Sequence, residues 1–302
     1  MHPTFDPDAL RPGDVLLMKG IGAVSDLIAW FGDSTYSHAA IVVDDGMLVE
    51  AASPRSRRVS IAARLRQGAY YDFVDAFRPT RHDGTPTLPA DRTAAVVSAQ
   101  TLLEVPYALD GLLQMAVFAA LRDRVPTHAG VRWIIRVLID HLVEDDPSQM
   151  VCSELVYRAL DGATTAPEHL LRPKVIVSAM LDAPFPTVDW IELWQEFEQA
   201  RRSSVALAGR VAPVVPAAST ASPDALESPT VSDPELLQCY ARLRDTRAAR
   251  APGLLSAPVA PNPNPKLVMP VDLETSPSLR RLGRLPLTEV PSTPAGDART
   301  LE

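Results

Sequence analysis

Residues 38–52, HAAIVVDDGMLVEAA, set two short apolar runs on either side of a small acidic-glycine turn, and no other stretch so restricts the fold. The pattern is that of an antiparallel hairpin, so the chain contains a sheet whose register depends on one loop. A two-residue Asp45-Gly46 turn pairs 43 with 48 and 41 with 50, which leaves His38 and Glu50 on opposite faces. A three-residue Asp44-Asp45-Gly46 loop with Gly46 left-handed instead pairs Val43 with Met47 and His38 with Ala52, making Glu50 the diagonal same-face neighbour of His38. Glycine at the position needing positive φ suits the longer loop, which is therefore the expectation. Glu50 stands inside an apolar strand, where a carboxylate without a donor is costly, so it needs a partner.

The elements around the hairpin follow from the same kind of reading. GDVLLMKG reads as a strand, VSDLIAWFG as a helix stopped at Gly32, and YYDFVDAFRP as a strand that Pro79 ends. ADRTAAVVSAQTLLE is a helix with Ala95, Val96, Ala99, Leu102 and Leu103 on its apolar face. ALDGLLQMAVFAAL and VRWIIRVLIDHLV form a helical pair inserted within 106–147, each shorter than the about 20 apolar residues a membrane span needs. VCSELVYRALDG is a helix capped at Gly162, and TVDWIELWQEFEQARR closes the globular part. The fold class expected is α+β, a small antiparallel sheet packed on helices.

Composition divides the chain. At 302 residues and 46 % apolar content there is enough material for a full core with a long segment left over. From position 203 the chain turns rich in Pro, Ala and Ser, and about half of its 29 prolines lie there. The expectation is a domain over 1–202 and a mostly disordered tail over 203–302, with a short helix at 234–250 suited to docking a protein partner. Cys239 lies in that helix and, with no histidine in the tail, reads as structural or incidental. The net charge of −8 and the lack of a basic cluster beyond Arg55, Arg57 and Arg58 argue against a nucleic-acid partner. The start, MHPTFDPDALRPGD, shows no secretory leader, and only two cysteines are present, so a reducing, cytoplasmic setting is the default expectation.

Two residues carry candidate chemistry, and each has a plainer reading beside it. Cys152 shares a helical stripe with Leu155, Val156, Ala159 and Leu160, so it is either a small buried hydrophobe or a thiol aimed at a base. Its reactivity depends on where the helix begins. An N-cap at Ser148 puts it a full turn in, whereas a start at Met150 or Val151 keeps it among the unpaired amides that favour thiolate. His38, at a strand entrance, is either a satisfied structural residue or that base, and Glu50, a carboxylate in need of a donor inside the apolar strand across the hairpin, favours the second.

The succession GDVLL, STYSHAAIVV, LVEAA, VPYALDG and CSELVYRAL resembles the circularly permuted branch of the NlpC/P60 papain-like superfamily, the YaeF/YiiX type, over about residues 10 to 165. In that branch the histidine strand precedes the cysteine helix. The resemblance implies a permuted papain-like fold with Cys152 as nucleophile, His38 as general base and acid, Glu50 orienting the imidazole, and Tyr107 contacting substrate or oxyanion. Tyr107 reads equally as a buried aromatic starting a helix, and Asp14 in PGDV as a turn former. Some forty residues between Tyr107 and Cys152 depart from the family pattern, as a packed helical hairpin or as a wall over the cleft touching acyl chains or a membrane surface through 107–143. No cofactor is implied, and a Cys/His/Glu zinc site lacks a fourth ligand. The functions open at this point are a cysteine hydrolase on amide bonds of peptide, glycopeptide or cell-wall type, a lipase-like or acyltransferase enzyme on lipid esters, and a non-catalytic binding module.

Overall fold

Six strands pair antiparallel into one sheet in the computed structural model, which describes residues 3–22, 25–26, 28–29, 34–44, 46–66, 70–107, 150–176, 263 and 265–288. In chain order they are β1 (Val15–Gly20), β2 (His38–Val42), β3 (Met47–Ala52), β4 (Arg55–Ser60), β5 (Tyr71–Pro79) and β6 (Leu279–Leu285), arranged β4-β3-β2-β1-β5-β6. The helices are α1 (Ile61–Arg64), α2 (Pro89–Thr101), α3 (Cys152–Asp161) and α4 (Pro270–Glu274). The described part is thus α+β, a mixed sheet-and-helix architecture as expected from the sequence.

Strand alternation sorts the core into two layers. Val15, Leu17, Ala39, Ile41, Val43 and Val49 face one way and pack with Ala95 and Ala99 of α2 and with Leu155, Val156, Ala159 and Leu160 of α3. Leu16, Met18, Ala40, Val42 and Leu48 face the other way, covered by Ile61 of α1, Leu65, Val74 and Leu285. Both faces of β1 are therefore buried, which is why VLLM reads as an unbroken apolar run rather than an alternation.

The hairpin takes the longer loop. Ala40 pairs with Glu50 and Val42 with Leu48, Val43 N donates to Met47 O at 3.0 Å, and Gly46 has φ of 69°. That register sets Glu50 diagonally beside His38. α3 begins one residue after its N-cap, Val151, and ends at Gly162, with Cys152 as its first helical residue. Of the helix expected over 24–32, residues 25, 26, 28 and 29 are helical. The insertion helices within 108–147, the helix at 187–202 and the 234–250 helix with Cys239 lie outside the described residues.

Two elements correct the sequence reading. The run RSRRVS, read above only as a short basic cluster, is β4, pairing Met47 with Ser60 through Ala52 with Arg55. More consequentially, the tail does not stay apart: within 203–302, α4 and β6 dock on the domain, and β6 forms a sheet edge against β5. LRRLGRL lacks a period of two and sits between prolines, and its pairing partner lies some two hundred residues earlier, so no local pattern reveals it. What makes it a strand is burial of Leu279 and Leu285 and ion pairing of Arg281 and Arg284 with the fully buried Asp75.

The chain's first residues cross this edge. Phe5 N donates to Arg284 O and Arg284 N to Pro3 O, both at 2.8 Å. Between them Gly283 has φ of 149°, and a Cβ there would meet Pro3 O at 2.5 Å. Gly283→Ala is expected to destabilise the protein by about 2 kcal/mol, because backbone rather than a yielding side chain stands in the way. Chemical denaturation measures it, and an unchanged midpoint would show that β6 does not dock.

Candidate active site

His38 opens β2, and its Nε2 lies 3.2 Å from Glu50 Oε2. Because Nε2 is engaged with the carboxylate, Nδ1 is the ring nitrogen left for Cys152, whose sulfur hydrogen-bonds the imidazole. The main-chain amides of Ala39 and Ser153 also donate toward that sulfur. Strand and helix thus contribute one reactive group each, and the helix start supplies amide dipoles directed at the thiol.

Glu50 carries the electrostatics of the arrangement. It has no exposed surface, so ionisation demands cationic partners. Three surround it: His38 on Oε2, and Arg57 at 3.1 Å and Arg64 on Oε1. Arg57 is the cross-strand partner of Glu50 on β4, whereas Arg64 reaches back from α1 and is itself buried. Burial alone would raise the Glu50 carboxyl, but the hydrogen bond and charge of His38, with Arg64, hold it down at about 2.

The other two groups shift in matching directions. Burial would lower His38, yet the charge and hydrogen bond of Cys152, with those of Glu50, push it up to about 9. Burial would likewise raise the Cys152 thiol, and the imidazolium together with the Ala39 and Ser153 amides brings it below the ordinary thiol range. The pair therefore favours the charged form, thiolate beside imidazolium.

Two tyrosines complete the surroundings. Tyr71, at the start of β5, stacks on His38 with ring centroids 5.9 Å apart and planes 15° apart, which restricts the imidazole's rotation. Tyr107 is brought in from the end of α2. Ser56 accepts and donates main-chain bonds to 104 and 105, Tyr107 N donates to Pro54 O at 2.9 Å, and Met150 N to Pro106 O at 3.1 Å. Tyr107 thereby pairs with Met150, two residues before the sulfur. Its hydroxyl is held protonated by burial and by the nearby Cys152 and Glu50 charges, so it remains a donor.

Cys152, His38 and Glu50 are brought together in space and Tyr107 is beside them, while Asp14 stands elsewhere, accepting from Arg11 N at 2.8 Å and pairing with Arg78 at 2.7 Å. Sequence reasoning missed Arg64 and Tyr71. The signal for a cation was present in the need of Glu50 for a partner, but its source, four residues past β4, depends on a strand that was not read. Among the described residues no group of three or more His, Cys, Asp or Glu side chains is placed to hold a metal ion, and no helix is long and apolar enough to cross a membrane.

The chain matches no protein-family model and no curated protein. Among solved structures it is similar to one described as the crystal structure of metalloprotein yiiX from Escherichia coli O157:H7, DUF1105, at 12 % identity and a TM-score of 0.43, covering 90 % of this chain and 96 % of that one.

Proposed function

We propose that this chain is a cysteine hydrolase that acts through an acyl-enzyme on amide bonds of peptide or cell-wall type. The observation that carries the reading is the hydrogen-bonded Cys152–His38 pair whose far nitrogen rests on the buried Glu50. The order of the two elements, histidine strand before cysteine helix, is that of the permuted NlpC/P60 papain-like branch whose motifs the sequence resembles.

Cys152 gives its proton to His38, and the thiolate sulfur attacks the substrate carbonyl, whose π electrons move onto oxygen. Amides at the start of α3 and the Tyr107 hydroxyl supply donors to that oxyanion. Collapse breaks the C–N bond, and the leaving amine takes the proton from His38. Water then gives a proton to His38 as it attacks the thioester, and breaking the S–C bond restores the thiolate. Glu50 keeps Nε2 protonated and the ring oriented throughout.

A metal fits this group of residues poorly. Both Glu50 oxygens already face cations, and the buried Arg64 guanidinium repels a further positive ion, so no step is routed through one. A second reading, a lipase-like or acyltransferase enzyme on lipid esters, has one observation in its favour, an apolar surface on which an acyl chain could rest. Ile21 and Tyr70 are neighbouring exposed apolar residues joined by Ile21 N donating to Tyr70 O at 3.2 Å, next to the Tyr71 that stacks on His38.

Incubation with a thiol-directed, acyl-forming probe, followed by digestion and mass spectrometry, tests the reading. A single adduct on the Cys152 peptide is expected, and panels of amide and lipid-ester probes separate the two substrate classes. An absent adduct, or one confined to Cys239, overturns the proposal.

A further inference from the structure

The C-terminal segment, distant in sequence and rich in proline, contacts residues next to Cys152 on one side and the run leading into His38 on the other. On the cysteine side, the buried Ser153 Oγ donates to Val268 O at 2.7 Å. Lys266 Nζ approaches Glu154 Oε2 at 3.5 Å, and that same oxygen accepts from Val151 N at 3.3 Å, closing the first turn of α3. On the histidine side, Glu274 of α4 accepts from Ser34 Oγ at 2.7 Å, and Ser34 Oγ accepts from Tyr36 N at 3.0 Å. Tyr36 Oη donates to Asp75 at 2.6 Å, and Asp75 is neutralised by Arg281 at 2.5 Å and Arg284 at 3.0 Å of β6. Residues 34–37 run directly into His38.

We propose that residues 265–285 are a positioning element of the active site, bracing the start of the cysteine helix against the run that delivers the histidine, with Ser153 as its principal contact. The inference rests on the cysteine-hydrolase reading and extends it. The logic is geometric. Sulfur and imidazole sit on separate elements more than a hundred residues apart, so their separation is set by whatever ties those elements together. Ser153 contributes twice: its amide donates toward the Cys152 sulfur, and its hydroxyl fixes that amide's direction by anchoring to Val268. Without the anchor, the first turn loses a restraint at the residue adjoining the nucleophile, and the buried Val268 carbonyl loses its donor.

Because no step here touches substrate, the readout is the sulfur itself. Iodoacetamide alkylation of the full chain is followed against pH, with Cys152 and Cys239 scored separately by peptide mass and folding checked by thermal unfolding. The wild type is expected to titrate below the about 8.5 of a free thiol. Ser153→Ala is expected to raise the Cys152 midpoint by about half a pH unit, an about threefold loss of alkylation below the midpoint, and Ser153→Thr, which keeps the hydroxyl, to restore it. Glu274→Ala, on a half-buried residue remote from the sulfur, is expected to shift it in the same direction and decides the matter where Ser153→Ala fails to fold. Folded Ser153→Ala and Glu274→Ala proteins with the wild-type midpoint overturn the positioning role alone. A wild type that titrates as an ordinary thiol overturns the hydrolase reading and this inference with it.

Discussion

Cys152→Ala is expected to abolish acyl-enzyme formation, and His38→Ala to slow it by about 10²- to 10⁴-fold, the usual contribution of a positioned acid–base. The second loss has two parts, since the imidazolium both lowers the thiol and protonates the leaving amine. The pH dependence follows from the directions of the shifts. At low pH the rate rises as Cys152 ionises, below the ordinary thiol range, and it falls again near pH 9 as His38 loses its proton. A kcat/KM profile that climbs through the free-thiol range with no descending limb would contradict the ion pair. Stability carries the same signature. His38 is raised from 6.5 to about 9, so its contribution is complete below pH 6.5 and disappears as pH rises to about 9. Glu50 is lowered from 4.5 to about 2, so its contribution is present above pH 4.5 and disappears as pH falls toward 2.

The second large effect concerns stability. Arg64→Met is expected to cost about 3 kcal/mol, because it takes the buried guanidinium from a fully buried carboxylate and leaves only the partly exposed Arg57 and the His38 imidazole, which also serves the sulfur, to balance it. For a folded core of this size that corresponds to a fall of roughly 10 °C in Tm. Asymmetry identifies the cause. Adding Glu50→Gln to Arg64→Met removes the under-compensated buried charge and is expected to recover about half of the loss, although Glu50→Gln alone is destabilising. A double variant whose loss is the simple sum of the two would show that Arg64 acts by packing. Its buried Nε has no hydrogen-bond partner among the described residues, which fits a side chain retained for its charge on Glu50.

How much of this was legible depended on the range of each interaction. The hairpin's loop and register were readable because one glycine and three acidic or apolar neighbours dictate them over a few residues. The α3 stripe and its Gly162 cap were readable for the same reason. The start of α3 was ambiguous in sequence, since Ser148 is a competent N-cap and Val151 is not. Pairing of Met150 with Tyr107, with Glu154 reaching back to Val151 N, decided it. β4 and Arg64 were missed because RSRRVS has too few apolar residues to signal burial, and its position at the sheet edge next to β3 substitutes for them. The C-terminal segment was misread because its composition is averaged over a hundred residues whereas its docking involves some twenty.

By itself, then, the order of residues determined the local elements and which candidate side chains they carry: a hairpin bearing histidine and glutamate, and an amphipathic helix bearing cysteine. Periodicity and turn stereochemistry act between near neighbours, so they are written in short strings. Only the tertiary structure decided that the sulfur meets the imidazole, that Arg64 holds Glu50 ionised, and that residues within 265–285 contact the elements that carry both. Those contacts depend on desolvated charges and cross-strand partners separated by up to two hundred residues, and no short string records which distant group will come to neutralise a buried one.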